Sequence, residues 1–146
     1  MSKLVKLLED VSGKREALRN QVKAVLADGI QDFMKEHPSV KALGWTQYTP
    51  YFNDGEECVF SVNGFHASTK DEDERSEDLY DEGWVEVYSY KSSKAEEGFG
   101  AQDWSDLIEF TKVLGDAEED LRYAFGDHVR VIVTQNGIDV EEHEHD

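Results

Sequence analysis

The hydrophobic period of this chain first changes at His37-Pro38, and that change bounds what the chain can fold into. Upstream, Leu4, Leu8, Val11, Leu18, Val22, Val25 and Phe33 recur at spacings of three, four and seven, with Lys, Arg and Glu between them. This pattern predicts a helix over residues 3 to 36. Proline disfavours helical geometry in the residue before it, so the helix stops at His37. Gly13 and Gly29 are its weak points, each costing about 1 kcal/mol in a helix interior. Ser12-Gly13 is where a kink or break is expected, with Ser12 able to cap a second segment. A pattern this long has a second use: the segment 1 to 37 can project from the body and pair with its copy in another chain as a homodimer.

Downstream the period becomes two. Trp45, Gln47, Tyr48, Thr49, Tyr51 and Phe52 form an aromatic and β-branched strand, and Pro50, lacking an amide proton, predicts that this strand sits at an edge or a bulge. Asn53-Asp54-Gly55 is a turn signal, with Cys58, Phe60 and Val62 alternating on the return strand. Residues 68 to 82, STKDEDERSEDLYDE, carry few apolar side chains and read as a solvated loop. Strand character resumes at 84 to 90, and 92 to 100 reads as a linker. Asp103 and Asp106 resemble a capping box opening a second helix, with Gly115 as an interruption and Gly126 as its stop. A strand at Val129 to Val133, a turn at Asn136-Gly137 and a short strand at Ile138 to Val140 precede a flexible acidic tail, 141 to 146. The expected fold is α+β in a single domain, 1 to 146: a long N-terminal helix, an antiparallel sheet of four to five strands covered on one face, and a second helix before the last strand or hairpin.

Charge narrows the function classes. The net charge is −18, and it is unevenly spread: residues 1 to 45 hold eight Lys or Arg against six Asp or Glu, while the remainder holds seven against 27. Nucleic acid and anionic membranes are repelled by such a surface, so neither is an expected partner. No run of about 18 apolar residues suggests a membrane span and no apolar stretch suggests a signal peptide, which points to a cytoplasmic protein. Hydrophobic residues make up 38% of the chain, enough to build a core and argue against disorder throughout. The single cysteine, Cys58, cannot close an internal disulfide and reads as a small core residue.

No motif requires an enzyme, a metal or a cofactor, and none is expected. His143 and His145 sit among carboxylates in a tail without the support that orients metal ligands. An alternative enzyme reading would rest on a carboxylate site near Asp54, Glu56, Glu57 or His66, but chance pairings are frequent among 33 acids. The acidic runs carry more weight. Carboxylates on one helix face lie about 5 to 6 Å apart, and DNA places a phosphate on each strand about every 3.4 Å. A dense acidic surface can therefore fill a basic groove meant for nucleic acid. The residues expected to meet a basic partner are Asp71, Glu72, Asp73, Glu74, Glu77 and Asp78, backed by Glu118, Glu119 and Asp120. Tyr48 and Tyr51 are expected to add apolar anchoring, because tyrosine is enriched at interface hot spots.

The segment GWTQYTPYFNDGEECVFSV, residues 44 to 62, resembles one found in small uncharacterised acidic proteins of tailed bacteriophages. The resemblance brings no activity with it. It implies a protein made in the cytoplasm of an infected bacterium, where the basic partner would be a nucleic-acid-binding host protein that this chain inhibits or sequesters without catalysis. The alternative is a self-assembling protein that uses the N-terminal helix.

Overall fold

Ser2 opens the first helix, its hydroxyl accepting the Val5 N–H at 3.3 Å. In a computed structural model that describes residues 2–50, 55, 58–87 and 98–143, α1 (Lys3–Glu36) runs without a break. The break expected at Ser12-Gly13 is absent; the space where a Cβ would stand is open at both Gly13 and Gly29, so no close contact requires glycine there and each costs only helix propensity. His37 closes α1, its N–H reaching the Phe33 and Met34 carbonyls. Only the last turns are packed, through Leu26, Ile30, Phe33 and Met34, whereas every residue from Ser2 to Gln21 is exposed.

The sheet has five antiparallel strands, with β1 (Ala42–Tyr48), β2 (Ser61–Ser68), β3 (Val85–Glu86), β4 (Val129–Thr134) and β5 (Gly137–Glu142) in the spatial order β3-β2-β1-β4-β5. The α+β reading thus stands. The edge placement of the aromatic strand does not, because β1 is central. It ends at Tyr48, two residues before Pro50, so the missing N–H falls outside the ladder and costs it nothing. The register against β2 does shift, between Gly44 and Thr46. In the turn signal, Gly55 has the positive φ of 80° that such a turn uses, while Asn53 and Asp54 lie outside the described residues. So do residues 88 to 90 of the strand expected at 84 to 90, and most of the 92 to 100 linker. β5 continues through Glu142, so the expected flexible tail begins inside a strand.

The second helical region is two helices, α2 (Ala101–Asp116) and α3 (Glu118–Phe125), divided at Ala117 rather than at Gly115. Its N-cap is Gly100, not Asp103. The three helices cover one face of the sheet, where Leu43, Trp45, Ala67, Val131 and Val133 meet Leu107, Leu114 and Leu121. Buried among them is a polar pair. Trp45 donates its indole N–H to Gln47 at 2.9 Å, and the Gln47 amide donates to the carbonyls of Leu121 and Gly126 at 3.0 and 2.7 Å. The Gly126 carbonyl follows the last turn of α3 and has no partner within the helix, and a buried side chain here supplies one.

The opposite face is not open. Residues 69 to 84, which take in most of the 68 to 82 segment expected as a solvated loop, dock on it through Leu79, which is 2% exposed. Its methyls press against Gly44 and Ile132, where a Cβ on Gly44 would come within 2.8 Å of both. The loop is closed by hydrogen bonds from the Ser76 N–H to the Glu82 carbonyl and from the Trp84 indole to the Ser76 carbonyl, both 2.9 Å. Gly83 has φ +89°, and a Cβ there would lie 2.8 Å from the Glu74 carbonyl oxygen, so the closure needs glycine. One buried leucine was enough to dock a segment whose composition is almost wholly polar. Replacing it, Leu79→Ala, is expected to lower stability by about 2 to 3 kcal/mol and to open the loop to limited proteolysis. Urea unfolding and protease mapping check both effects.

Candidate functional site: an acidic groove on the outer face of the sheet

Strand alternation decides which side chains face the docked loop. In β4, Val131 and Val133 turn to the helices, so Arg130, Ile132 and Thr134 turn outward. Thr46 and Tyr48 do the same in β1, because Trp45 and Gln47 point inward. Between these strands, the outer residues of β5 and the loop lies a groove formed by two adjoining recesses. One of about 440 Å³ has Glu72, Glu77, Asp139 and Glu141 with Arg75 and Trp84 in its walls. The other, about 480 Å³, has Tyr48, Asp78, Tyr80 and His143 in its walls. Glu77 and Arg130 belong to both, so the two recesses adjoin along this pair.

The groove holds five carboxylates, Glu72, Glu77, Asp78, Asp139 and Glu141, against two guanidinium groups. Both arginines are engaged. Arg130 donates to Glu141 Oε2 at 2.6 Å and to the Glu77 carbonyl. Arg75 donates to the Lys70 carbonyl at 2.7 Å, with its guanidinium 5.6 Å from the Trp84 ring. Negative charge is therefore in excess where aromatic surface is also offered. Tyr80 is 71% exposed. Tyr48 lies 6.0 Å from the His143 ring, and the His143 N–H bonds the His128 carbonyl at 2.7 Å, tying the end of the last strand to the site.

The structure brings together part of the residue set expected from sequence. Glu72, Glu77, Asp78 and Tyr48 share the groove. Asp73 and Glu74 line a smaller recess with Asp81 and Glu82. The Asp71 carbonyl accepts the Glu74 N–H to start a single 3-10 turn, Glu72–Glu74. Glu118, Glu119 and Asp120 form the first turn of α3, in the helical layer on the other side of the sheet. Tyr51 lies outside the described residues, as do Asp54, Glu56 and Glu57. Sequence reasoning missed Arg130, Asp139, Glu141, Tyr80 and Trp84. The available signal was the alternation of β4 and β5, in which an arginine among valines and acids on alternate positions mark a polar outer face.

A second polar cluster joins α1 to α2. The His37 ring stacks on Phe33, with centroids 4.1 Å apart, and places Nδ1 2.8 Å from the Phe33 carbonyl and Nε2 2.9 Å from Asp106 Oδ2. Ser39 donates to Asp103, and Gln102 to Asp106 at 2.8 Å. The residues that looked like a helix stop and a capping box are thus one tertiary contact. His37, Asp103 and Asp106 offer donor atoms within 4.8 Å of one another, a set of the kind a divalent ion takes. The pair also accounts for its own geometry without an ion. Both partners of the ring are acceptors, so the ring satisfies them only as imidazolium. Burial opposes that charge, yet the hydrogen bonds to Asp106 and Phe33 and the nearby Asp103 outweigh it and raise the His37 pKa. The bond from His37, and then that from Gln102, lowers the Asp106 pKa.

Comparison with known protein families, with characterised proteins and with solved structures finds no match to this chain. Among the described residues no helix is long and apolar enough to cross a membrane. The pH behaviour of the His37 contact follows from its raised pKa. Its stabilisation is fully present below the ordinary histidine value and is lost as pH rises through the raised one. Asp106, with a depressed pKa, contributes above the ordinary carboxylate range and loses its contribution as pH falls. The melting temperature should therefore drop as the pH rises above the ordinary histidine value and through the raised His37 one, and Asp106→Asn should flatten that slope. Thermal melts across this range measure it.

Proposed function

We propose that this chain is a non-catalytic acidic binding protein whose outer-face groove takes a basic, extended segment of a partner protein. The observation that carries the reading is the excess of carboxylates over guanidinium groups in a groove that also presents Tyr48, Tyr80 and Trp84. Arginine suits such a site, since its planar fork pairs with carboxylates and stacks on aromatic faces. The net charge of −18 supplies long-range attraction and a fast, salt-dependent encounter. Basic extended segments are common in nucleic-acid-binding proteins, and the resemblance of residues 44 to 62 to phage proteins supports a bacterial host protein of that class as the target. Occupying its basic segment would inhibit or sequester it.

The test separates groove from bulk charge. A short fluorescein-labelled Arg-Gly repeat peptide serves as the probe, titrated by fluorescence anisotropy at about 0.15 M ionic strength, where the Debye length is about 8 Å. Two variants each remove three charges: Glu72→Gln/Glu77→Gln/Asp139→Asn in the groove, and Glu118→Gln/Glu119→Gln/Asp120→Asn on α3. The groove variant is expected to weaken binding about tenfold or more and the α3 variant less than about threefold. Equal losses would mean that the peptide reads net charge alone and would overturn the groove assignment.

A further inference from the structure

Among the described residues, the exposed stretch of α1 carries a seam that stays uncovered except at Val22, which is half-buried. Leu4, Leu8, Val11, Arg15, Leu18, Val22 and Val25 alternate in steps of four and three over three heptads, with Leu8, Arg15 and Val22 at a positions and Leu4, Val11, Leu18 and Val25 at d positions. A repeat of 3.5 residues, rather than 3.6, is the signature of a helix built to lie along another helix of the same repeat. The face α1 offers to the body is a different one: Arg19 lies over Tyr123 of α3, and Leu26, Ile30 and Phe33 enter the core. The seam passes beside it. Leu4, Leu8 and Leu18 are about 60% exposed, and Val25, level with the body, is 65% exposed.

We infer that a second copy of this chain covers the seam, in an antiparallel two-helix coiled coil. Charge argues for a copy and for the direction. Residues 2 to 25 hold six Lys or Arg against three Asp or Glu, leaving a balance of −21 on the rest of the chain. The N-terminal stretch is therefore the part of one copy that another can approach without repulsion. A parallel pair would stack Arg15 on Arg15 in one layer, set Lys14 of one helix against Arg19 of the other, and hold both acidic bodies at the same end. The antiparallel pair does none of these. It places Leu8 against Val25 of the second copy, Val11 against Val22 and Arg15 against Leu18, where the arginine stem covers the leucine and its head reaches water. Leu4 then meets Gly29 of the second copy, where the position of a Cβ has no neighbour within 4 Å. The basic tip with Lys3 and Lys6 arrives beside Asp28 and Asp32 of the second copy and near the acidic first turn of α3, which packs on α1.

Sedimentation velocity of the full chain at physiological salt tests this. The protein is expected to be a dimer at micromolar concentration. Leu8→Glu/Leu18→Glu should raise the dissociation constant about 100-fold or more while leaving the far-UV spectrum of the body and the pH-dependent His37 contact intact, since both residues lie outside the packed region. Arg15→Leu should tighten the dimer. Direction is read by cross-linking on a Cys58→Ser background: Leu8→Cys mixed with Val25→Cys should give a disulfide heterodimer, and Leu8→Cys alone should stay reduced. A wild-type monomer, a dimer indifferent to the glutamates, or self-linking of Leu8→Cys would each overturn the inference. None of these outcomes depends on peptide binding at the groove.

Discussion

Burial of β1 on both faces is the constraint on which the rest of the structure depends. Ala42 to Gln47 are all buried, an unusual condition for a strand that carries a tryptophan, a threonine and a glutamine. Each polar group must then be given a partner inside the protein. Trp45 and Gln47 find theirs in one another and in the carbonyls that end α3, so the strand and the helical layer are joined by bonds that leave no freedom of register. Removing the Gln47 amide would take this donor from the Gly126 carbonyl, at about 1 to 3 kcal/mol. On the other side, Gly44 leaves the hollow that Leu79 fills, and this contact turns an acidic loop into a wall. The groove exists because both faces of one strand are covered.

Residues whose local pattern agrees with their tertiary fate were legible in advance. The 3 to 36 helix, the His37 stop, the α+β order and the last hairpin follow from period and punctuation, which are local properties, although its turn falls at Gln135-Asn136, one residue before the expected Asn136-Gly137. What could not be read depended on neighbours distant in sequence. Pro50 signals an edge only if the strand reaches it, and β1 ends at Tyr48. Leu79 is one apolar residue in a polar run, and its burial is decided by Gly44 and Ile132, 35 and 53 positions away. Asp103 and Asp106 read as helix-start residues because their partners, Ser39 and His37, lie on another element.

The same distinction applies to the site. Acidity was plain from composition, but its partition was not. The loop and β5 bring carboxylates to one side of the sheet, while α3 carries Glu118, Glu119 and Asp120 on the other. A partner contacting both would have to wrap around the molecule. The near-neutral N-terminal helix packs on α3 through its Arg19 to Tyr123 contact and its last turns, while residues 2 to 21 stay exposed. Three charge regimes on three elements give this fold its division of labour: groove, acidic helix and basic arm.

Docking of residues 69 to 84 on β1 shapes the acidic groove within the chain itself. Amide chemical-shift mapping of the ¹⁵N-labelled protein, titrated with a basic peptide, tests it most directly. Dispersed resonances are expected for the loop before any peptide is added. Shift changes are further expected to be confined to Glu72, Ser76, Glu77, Asp139, Glu141 and the Trp84 indole, with α3 undisturbed. Loop resonances at random-coil positions in the free protein, or changes centred on Glu118 to Asp120, would contradict it.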